Sequence, residues 1–247
     1  MNIKNFKQQY DQNGFFIVKN AVKKKVVLKI LKEINLSRNT EIYFDRKNKI
    51  RRIEKIYNKG LNLKKINNFF LSFLNKIFGK KFFIFKDKFN AKPPGGEGFY
   101  AHYDGVFKFR DKNNKIKNGW YNYGKVFINV LLALDDSNKK NGTIELAKYD
   151  KSSFSILLKN TKKDGTPNIL KSVERSKKFK PIELDKGDIV IFSNTCAHRS
   201  KKNKSNINRR SLYYTYSLKK YGFNYNKYFL DKKNSKNLKS KSLSGDI

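Results

Sequence analysis

His102 and Asp104 are the two residues of this 247-residue chain whose types and spacing most clearly suggest chemistry. Residues two apart on an extended strand point to the same face, so an imidazole and a carboxylate would converge at a strand end. The only other histidine, His198, lies 94 positions after Asp104 in a second strand-like segment. Two histidines and one carboxylate with open coordination positions form the ligand set of non-haem Fe(II) oxygenases. The spacing therefore predicts a mononuclear metal site.

The same tripeptide also has an ordinary structural explanation. A His-x-Asp sequence arises by chance in many proteins, and a single histidine is more often a hydrogen-bonded core or surface residue than a ligand. The scarcity of histidine adds weight to the metal hypothesis, because the chain has two and both lie where the pattern requires them.

Composition indicates one globular domain. Apolar residues make up 38% of the chain and aromatic residues 15%, which is enough to build a core. The longest apolar run, Val126 to Leu134, contains Asn129 and is far shorter than the ~20 residues of a membrane helix. The N-terminus lacks the apolar stretch of a signal peptide. A single cysteine, Cys196, excludes an intramolecular disulfide. We therefore expect a soluble, cytoplasmic protein without a membrane partner.

The formal net charge of +37 allows two interpretations. It is typical of proteins that bind nucleic acid, but here lysine outnumbers arginine by 48 to 9 and is spread along the whole chain. Arginine is the preferred residue for bidentate phosphate and base contacts. The pattern favours drift toward A/T-rich codons, so we expect a small-molecule substrate and no nucleic-acid partner. The positive field should nevertheless attract small anions.

The elements that would position the three ligands follow from hydrophobic periodicity. A short helix is predicted before residue 14, and longer helices over Val22–Ile34 and Leu61–Phe78, the latter ended by Gly79. Residues 35–60 are ambiguous, and residues 151–158 fit a short helix. Strands are predicted over Gly14–Val18, Lys81–Ala91, Phe99–Tyr103, Lys125–Asp135, Thr143–Ala147, Pro181–Leu184, Asp188–Ser193 and Arg209–Leu218. Asp185-Lys186-Gly187 predicts a hairpin between two of them.

Helices followed by seven or eight short strands predict a mainly β fold, a sandwich or jelly roll with helices packed outside. The helical part extends to about residue 80 and the β core over about 81–218. We expect one domain over residues 1–231 and a mobile tail rich in Lys, Ser and Asn over 232–247. The polar loop 108–124 contains Trp120 and is a candidate lid, and the polar segment 159–180 is irregular.

Four pieces of the sequence, spread from residue 5 to about 232, carry a resemblance to a family. They are Phe6–Val18; Lys92-Pro93-Pro94-Gly95-Gly96 before His102-Tyr103-Asp104; Leu131–Asp136 followed by Asn141–Glu145; and Gly187–Phe192 with His198-Arg199-Ser200 and Asn208–Leu212. In this order and spacing they resemble the phytanoyl-CoA dioxygenase family of Fe(II)/2-oxoglutarate oxygenases. One departure is Leu146–Tyr149, where that family usually has Pro-Gly-Ser-His, a segment that lies on the substrate side.

The resemblance implies a double-stranded β-helix (cupin-like jelly roll) with His102, Asp104 and His198 as iron ligands, and 2-oxoglutarate and O2 as cosubstrates. Because a carboxylate is present, it also implies hydroxylation; halogenating relatives have a small residue in place of Asp104.

The resemblance also implies cosubstrate contacts. Arg209, eleven residues after His198, matches the arginine that holds the distal carboxylate of 2-oxoglutarate, and strand alternation sends Arg210 to the other face. Ser200 would add a hydrogen bond, and Lys92 and Asn129 are further candidates.

The ending of the chain is similar to the branch that contains 2-aminoethylphosphonate hydroxylases. This favours a small polar or anionic substrate, with Trp120, Tyr100 and Tyr214 as candidate substrate or lid residues. A different class of function remains open, namely a non-catalytic basic module on the same scaffold that binds nucleic acid or protein. The sequence gives no indication of the oligomeric state.

Overall fold

A computed structural model of the chain describes residues 2–38, 40–45 and 48–235, and the backbone of residues 244–245. Its helices are α1 (Ile3–Asn13), α2 (Lys24–Leu36), α3 (Leu61–Phe78), α4 (Phe154–Lys159), α5 (Lys171–Ser176) and α6 (Tyr225–Asn234). Its strands are β1 (Phe15–Val18), β2 (Glu41–Phe44), β3 (Ile50–Glu54), β4 (Phe82–Lys92), β5 (Gly98–His102), β6 (Phe109–Arg110), β7 (Ile116–Lys117), β8 (Phe127–Ala133), β9 (Ile144–Tyr149), β10 (Lys180–Pro181), β11 (Ile189–Ser193), β12 (Cys196–Ser200), β13 (Arg209–Leu218) and β14 (Ser244–Gly245).

The described residues form two main antiparallel sheets. The larger has the strand order β1-β11-β8-β13-β4-β3-β2, and the smaller has the order β10-β9-β12-β5-β14. Strands β6 and β7 form a separate small ribbon. Two facing antiparallel sheets with helices on the outside are the predicted jelly-roll architecture, so the fold class is confirmed.

The large sheet buries both of its faces. Successive residues of β13 point to opposite faces of this sheet. Tyr214 and Tyr216 pack toward α3 in the main core, whereas Tyr213 packs between the sheets. Helix α3 packs beside α1, α2 and β4. The N-terminus of α3 is held by Glu33 of α2, whose carboxylate accepts hydrogen bonds from the backbone N–H groups of Asn62 and Leu63 at 2.9 Å. Such a bond satisfies donors that a helix start leaves unpaired.

The predicted elements and the observed ones agree best where periodicity is strong. The bounds of α3 and β13 are those predicted, and β4, β5, β8, β9 and β11 lie within two residues of prediction. The hairpin prediction at 185–187 is wrong. Here β10 pairs with β9 in the small sheet, whereas β11 pairs with β8 and β1 in the large one. The turn therefore passes the chain from one sheet to the other.

Three polar segments contain more structure than the sequence suggested. Residues 35–60 contain β2 and β3, and β3 lies against β4. The loop 108–124 contains the β6–β7 ribbon and a short 3₁₀ turn over Gly119–Asn122 that buries Trp120. The segment 159–180 includes α5.

The predicted boundary of the tail, at residue 232, falls inside helix α6, so the predicted tail begins within a helix. Residues 236–243 and 246–247 of that tail lie outside the described part of the chain. No helix within the described ranges is both long and apolar enough to cross a bilayer.

Candidate metal centre and cosubstrate pocket

His102 and His198 are direct partners across the antiparallel pair β5–β12. Their ring centroids are 4.1 Å apart, and both residues are 5% exposed. Asp104 lies just beyond the end of β5, with its carboxylate oxygens 4.0 Å from Nε2 of His102 and 3.7 Å from Nε2 of His198. Ligand atoms of the three residues all lie within 4.8 Å of one another. The structure thus brings together the three side chains that the sequence singled out.

The hydrogen bonds of the two imidazoles determine which nitrogen is available. Nδ1 of His102 lies 2.7 Å from the backbone oxygen of Tyr100, and Nδ1 of His198 lies 3.0 Å from that of Cys196. A carbonyl oxygen can only accept, so Nδ1 carries the proton in both rings. Each Nε2 then presents a lone pair toward Asp104. Fixing a tautomer through the second ring nitrogen is how proteins orient metal-binding histidines.

Asp104 is held by two asparagines. Nδ2 of Asn129 on β8 donates to Oδ2 of Asp104 at 2.9 Å, and Thr215 on β13 in turn donates to Oδ1 of Asn129 at 2.7 Å. Nδ2 of Asn194 donates to the backbone oxygen of Asp104 at 3.1 Å. Gly105, which follows with a φ of +77°, allows the chain to turn there.

The electrostatics of the centre favour the protonation states that bind a metal. Burial lowers the pKa of His102 to about 3 and also lowers the pKa of His198. Burial raises the pKa of Asp104, but the neighbouring His198 and Lys88 outweigh it and bring the value to about 2. At neutral pH the set is therefore two neutral imidazoles and one carboxylate, the combination that holds a divalent iron and leaves adjacent positions free.

Arg209 and Lys92 lie next to this centre on β13 and β4, directly opposite each other. Nη2 of Arg209 and Nζ of Lys92 both donate to the backbone oxygen of Gly142, at 3.0 and 3.2 Å. Lys92 also donates to Oγ of Ser200 at 2.7 Å. Arg209 is 3% exposed and Lys92 is 1% exposed. Lys92 donates further to the backbone oxygen of Lys201, and Arg209 to Oγ of Ser211. The two cations are thus held by carbonyl and hydroxyl oxygens and not by a carboxylate, which is a weak environment for buried charges.

A third cation, Arg51 on β3, belongs to this group. Its guanidinium lies 4.1 Å from the centre of the Phe99 ring and donates to the backbone oxygen of Gly98 at 3.0 Å. Burial, together with nearby Arg209 and Arg52, lowers its pKa to about 10. Nε and Nη1 of Arg51 and Nε of Arg209 lack a hydrogen-bond partner among the described residues. Unpaired buried guanidinium donors fit a dicarboxylate such as 2-oxoglutarate, which would supply acceptors and negative charge.

The metal ligands open into a cavity of about 140 Å³. Its walls include side chains from β3, β4, β13 and α6 as well as Trp120, and the segment Gly165–Pro167 closes one side. A cavity of this size suits a small ligand rather than a long acyl chain.

The other predicted site residues occupy different positions. Asn129 contacts Asp104 and so supports the metal ligand. Trp120 lines the cavity as a buried wall that packs against Phe85 and Phe127, rather than as an exposed lid residue. Tyr100 is 39% exposed and supports His102 through its backbone oxygen.

The assignment of Tyr214 to the substrate side is corrected by the structure. Tyr214 points to the helical face, where its hydroxyl donates to the backbone oxygen of Leu63 at 3.3 Å. Its neighbour Tyr213 lines the cavity instead.

Sequence reasoning missed five charged residues of the cavity and its wall. They are Arg52, Glu54, Lys86, Lys88 and Lys232. One signal could have indicated part of this set. In a chain with 9 arginines among 57 basic residues, adjacent arginines occur at 51–52 and at 209–210, and three of these four, Arg51, Arg52 and Arg209, lie at this site.

The fold and these side chains define a class of protein: a jelly roll, or double-stranded β-helix, with a buried His-Asp-His group that could hold a metal ion. The chain belongs to the phytanoyl-CoA dioxygenase (PhyH) family, which it matches over residues 10–211.

Curated relatives include two enzymes named for phosphonates. The chain is 27% identical over 178 residues to 2-aminoethylphosphonate dioxygenase from the uncultured bacterium HF130_AEPn_1, covering 72% of this chain and 62% of that one. It is 29% identical over 147 residues to dioxygenase lolE1 from Epichloe uncinata, covering 59% and 50%. It is 26% identical over 159 residues to methylphosphonate hydroxylase from Gimesia maris, covering 64% and 54%. The chain thus spans about half to three fifths of the length of these relatives.

Solved structures support the fold. The epimerase SnoN from nogalamycin biosynthesis, in complex with Fe3+, alpha ketoglutarate and nogalamycin RO, matches with a TM-score of 0.66 at 13% identity, covering 87% of this chain and 83% of that one. EctD from S. alaskensis, with 2-oxoglutarate and 5-hydroxyectoine, matches with a TM-score of 0.66 at 14% identity, covering 85% and 74%.

Proposed function

We propose that the protein is an Fe(II)- and 2-oxoglutarate-dependent dioxygenase that hydroxylates an unactivated C–H bond of a small anionic metabolite. The observation that carries the proposal is the convergence of His102, Asp104 and His198 beside the buried cations Arg209 and Lys92. A metal site and a dicarboxylate site that adjoin each other are the two requirements of this chemistry.

In this proposal each side chain has one task. His102, Asp104 and His198 hold Fe(II), and Asn129 keeps the Asp104 carboxylate in place. Arg209, Lys92 and Ser200 hold the distal carboxylate of 2-oxoglutarate, with Arg51 contributing positive charge. When bound, the iron and its cosubstrates supply the oxidising power, through decarboxylation of 2-oxoglutarate to succinate and CO2 with O2 as oxidant. The chain itself contributes position, neutral imidazoles and exclusion of water by the walls of the cavity.

The proposed substrate class has two supports. The relatives named 2-aminoethylphosphonate dioxygenase and methylphosphonate hydroxylase take small anionic molecules by their names, which extends to this chain only as a hypothesis. The cavity is small and has an excess of cationic side chains.

Anaerobic titration tests the activity class. Fe(II) and 2-oxoglutarate added together should produce a weak visible charge-transfer band. His198→Ala should abolish the band while the far-UV circular dichroism spectrum stays that of the wild type. Absence of the band from correctly folded wild-type protein would contradict the proposal.

The alternative, a non-catalytic basic module, is favoured by the net charge of +37. It predicts nucleic-acid binding with a steep dependence on salt and no iron binding. Turnover assays across phosphonates, amino acids and acyl-CoA compounds then test the substrate class, and a strong preference for an acyl-CoA would contradict the proposed one.

A further inference from the structure

The wall of the cavity that faces the metal ligands is cationic. Four basic side chains contribute to it: Arg52 on β3, Lys86 and Lys88 on β4, and Lys232 on α6. None of these residues belongs to the proposed iron or 2-oxoglutarate sites. Their presence around so small a space requires an explanation, since buried cations are unfavourable unless something negative lies near them.

Glu54 on β3 neutralises only part of this charge. It is fully buried, with a carboxylate oxygen 3.4 Å from Lys86 Nζ and 3.4 Å from Arg52 Nη1, and it also pairs with Lys232. The carboxylate is therefore shared by three of the four cations. Four cations against one carboxylate leave three positive charges unbalanced, and the remaining acidic residue of the cavity wall, Asp104, belongs to the metal centre.

Lys88 is the cation that Glu54 does not hold. Within the described ranges, its Nζ has no hydrogen-bond acceptor, and it lies 4.7 Å from the centre of the Tyr213 ring. Lys88 is paired with Tyr213 across β4 and β13, and both residues line the cavity with His102, Asp104 and His198. It thus presents three N–H donors to the interior of the cavity.

Asn90 and Arg52 add unpaired polar atoms to the same wall. They are cross-strand partners on β4 and β3. Oδ1 of Asn90, a residue that is 6% exposed, and Nε of Arg52 lack a partner among the described residues. Because Asn90 lies two residues from Lys88 on one strand, their side chains share a face. The lysine ammonium and the guanidinium N–H are unpaired donors that an anion would satisfy, whereas Oδ1 of Asn90 is an acceptor that only an N–H or O–H group of a bound molecule would satisfy.

We propose that Lys88 and Arg52 form the subsite for a doubly charged tetrahedral head group, a phosphonate or phosphate, on the substrate. This inference rests on the proposed function and deepens it by assigning the charge of the substrate's head group and the residues that bind that group. A dianion matches the unbalanced positive charge better than a monoanion does, and its three terminal oxygens match the available donors. Lys86 and Lys232, anchored by Glu54, supply the surrounding positive charge without direct contact.

Binding measurements with a charge series test this subsite. Anaerobic protein loaded with Fe(II) and 2-oxoglutarate is titrated calorimetrically, at a pH above the second pKa of methylphosphonate, with methylphosphonate, inorganic phosphate and methanesulfonate, the last being a monoanion of similar shape. The expected result is one binding site per chain and at least tenfold tighter binding of the dianionic methylphosphonate than of methanesulfonate. Equal affinity for the two would overturn the proposal. Methylphosphonate and phosphate compared with each other distinguish a C–P from a P–O head group.

Substitutions at Lys88 localise the effect. Lys88→Met should weaken methylphosphonate binding at least tenfold, Lys88→Arg should restore most of it, and the exposed-site control Lys125→Met should leave it unchanged. The half-saturating concentration of 2-oxoglutarate, read from the charge-transfer band, should stay within twofold in all three variants. If Lys88→Met weakens 2-oxoglutarate binding instead, Lys88 belongs to the cosubstrate site and the assignment is overturned.

A metal-free measurement separates this inference from the proposed function. If wild-type protein gives no charge-transfer band, the dioxygenase proposal fails. The subsite is then tested by ³¹P line broadening of methylphosphonate with apo protein. Broadening that Lys88→Met abolishes and Lys125→Met preserves supports the subsite, and broadening that is equal in both variants contradicts it.

Discussion

Lys92 and Arg209 face each other across β4 and β13 and donate to the same backbone oxygen, that of Gly142. Like charges directly opposite each other in a sheet are normally destabilising. Burial lowers the pKa of both groups, as expected for cations without a carboxylate partner in contact. An anionic cosubstrate that bridges the two would relieve this repulsion.

Arg209 and its neighbour Arg210 offer a matched pair of substitutions. Arg209→Met should raise KM for 2-oxoglutarate by about 10- to 150-fold, because a charge-assisted hydrogen bond contributes about 1.5–3 kcal/mol. Arg210 instead pairs with Asp135 at 2.8 Å on the other face of the strand. Arg210→Met should therefore leave KM within about twofold. Steady-state kinetics measures both, and equal effects would refute the role assigned to Arg209.

Asn129 is predicted to position the metal ligand rather than the cosubstrate. Asn129→Ala removes the donor to Oδ2 of Asp104 and should weaken Fe(II) binding about 10- to 100-fold, as is typical for groups that orient a ligand. Thr215→Val removes only the bond that orients Asn129, so its effect should be smaller. Equilibrium dialysis against Fe(II) under anaerobic conditions measures this order. Wild-type iron affinity in Asn129→Ala would show that the contact is dispensable.

Asp87 on β4 gives the fold a specific dependence on pH. It accepts hydrogen bonds from the backbone of Tyr57 and from the hydroxyl of Tyr225, both at 2.7 Å. Burial raises its pKa to about 6 from an ordinary value of 3.8. Between those values the folded protein binds more protons than the unfolded chain, so this residue's contribution lowers the free energy of unfolding as pH rises. The contribution amounts to about 3 kcal/mol, at about 1.4 kcal/mol per pKa unit.

The substitution Asp87→Asn tests this pH dependence when the free energies of unfolding of variant and wild type are compared at two pH values. Relative to the wild type, the variant should gain about 2 kcal/mol of stability between pH 4 and pH 7, because the amide cannot ionise. Hydrogen bonds that the substitution loses affect both pH values alike and so cancel. Urea unfolding at the two pH values measures the change. If the free energies of unfolding of the two proteins differ by the same amount at both pH values, Asp87 ionises without a cost to stability.

Gly105 and Gly79 provide a second matched pair. Both have positive φ, +77° and +60°. A Cβ on Gly105 would lie 2.4 Å from Cγ of Trp120, whereas one on Gly79 would meet no atom within 4 Å. Gly79→Ala should cost only the backbone strain, about 1 kcal/mol. Gly105→Ala should cost more and also reduce iron loading, since Trp120 and Asp104 adjoin it. Similar unfolding midpoints for the two variants would argue against tight packing at Gly105.

Sequence and structure agree most closely where one signal dominates. The period of 3.6 residues in Leu61–Phe78 gave the bounds of α3, and the alternation in Arg209–Leu218 gave those of β13. The strand β3 was not recognised because its burial pattern opposes its hydropathy: Ile50 is 42% exposed and Arg51 is 5% exposed. The proposed anion site would account for a buried guanidinium on a strand that exposes an isoleucine, and no local sequence pattern encodes such a site.

The sequence by itself determined which residue types are available for chemistry: two histidines, one carboxylate at the right spacing, and an arginine on the inward parity of a strand. These predictions need only the local geometry of a strand, because residues two apart on a strand share a face whatever the rest of the chain does. Only the tertiary structure decided which strands lie side by side. The pairings of β4 with β3 and β13 place Lys88, Arg52 and Asn90 on one wall, and those pairings depend on packing between segments far apart in the chain.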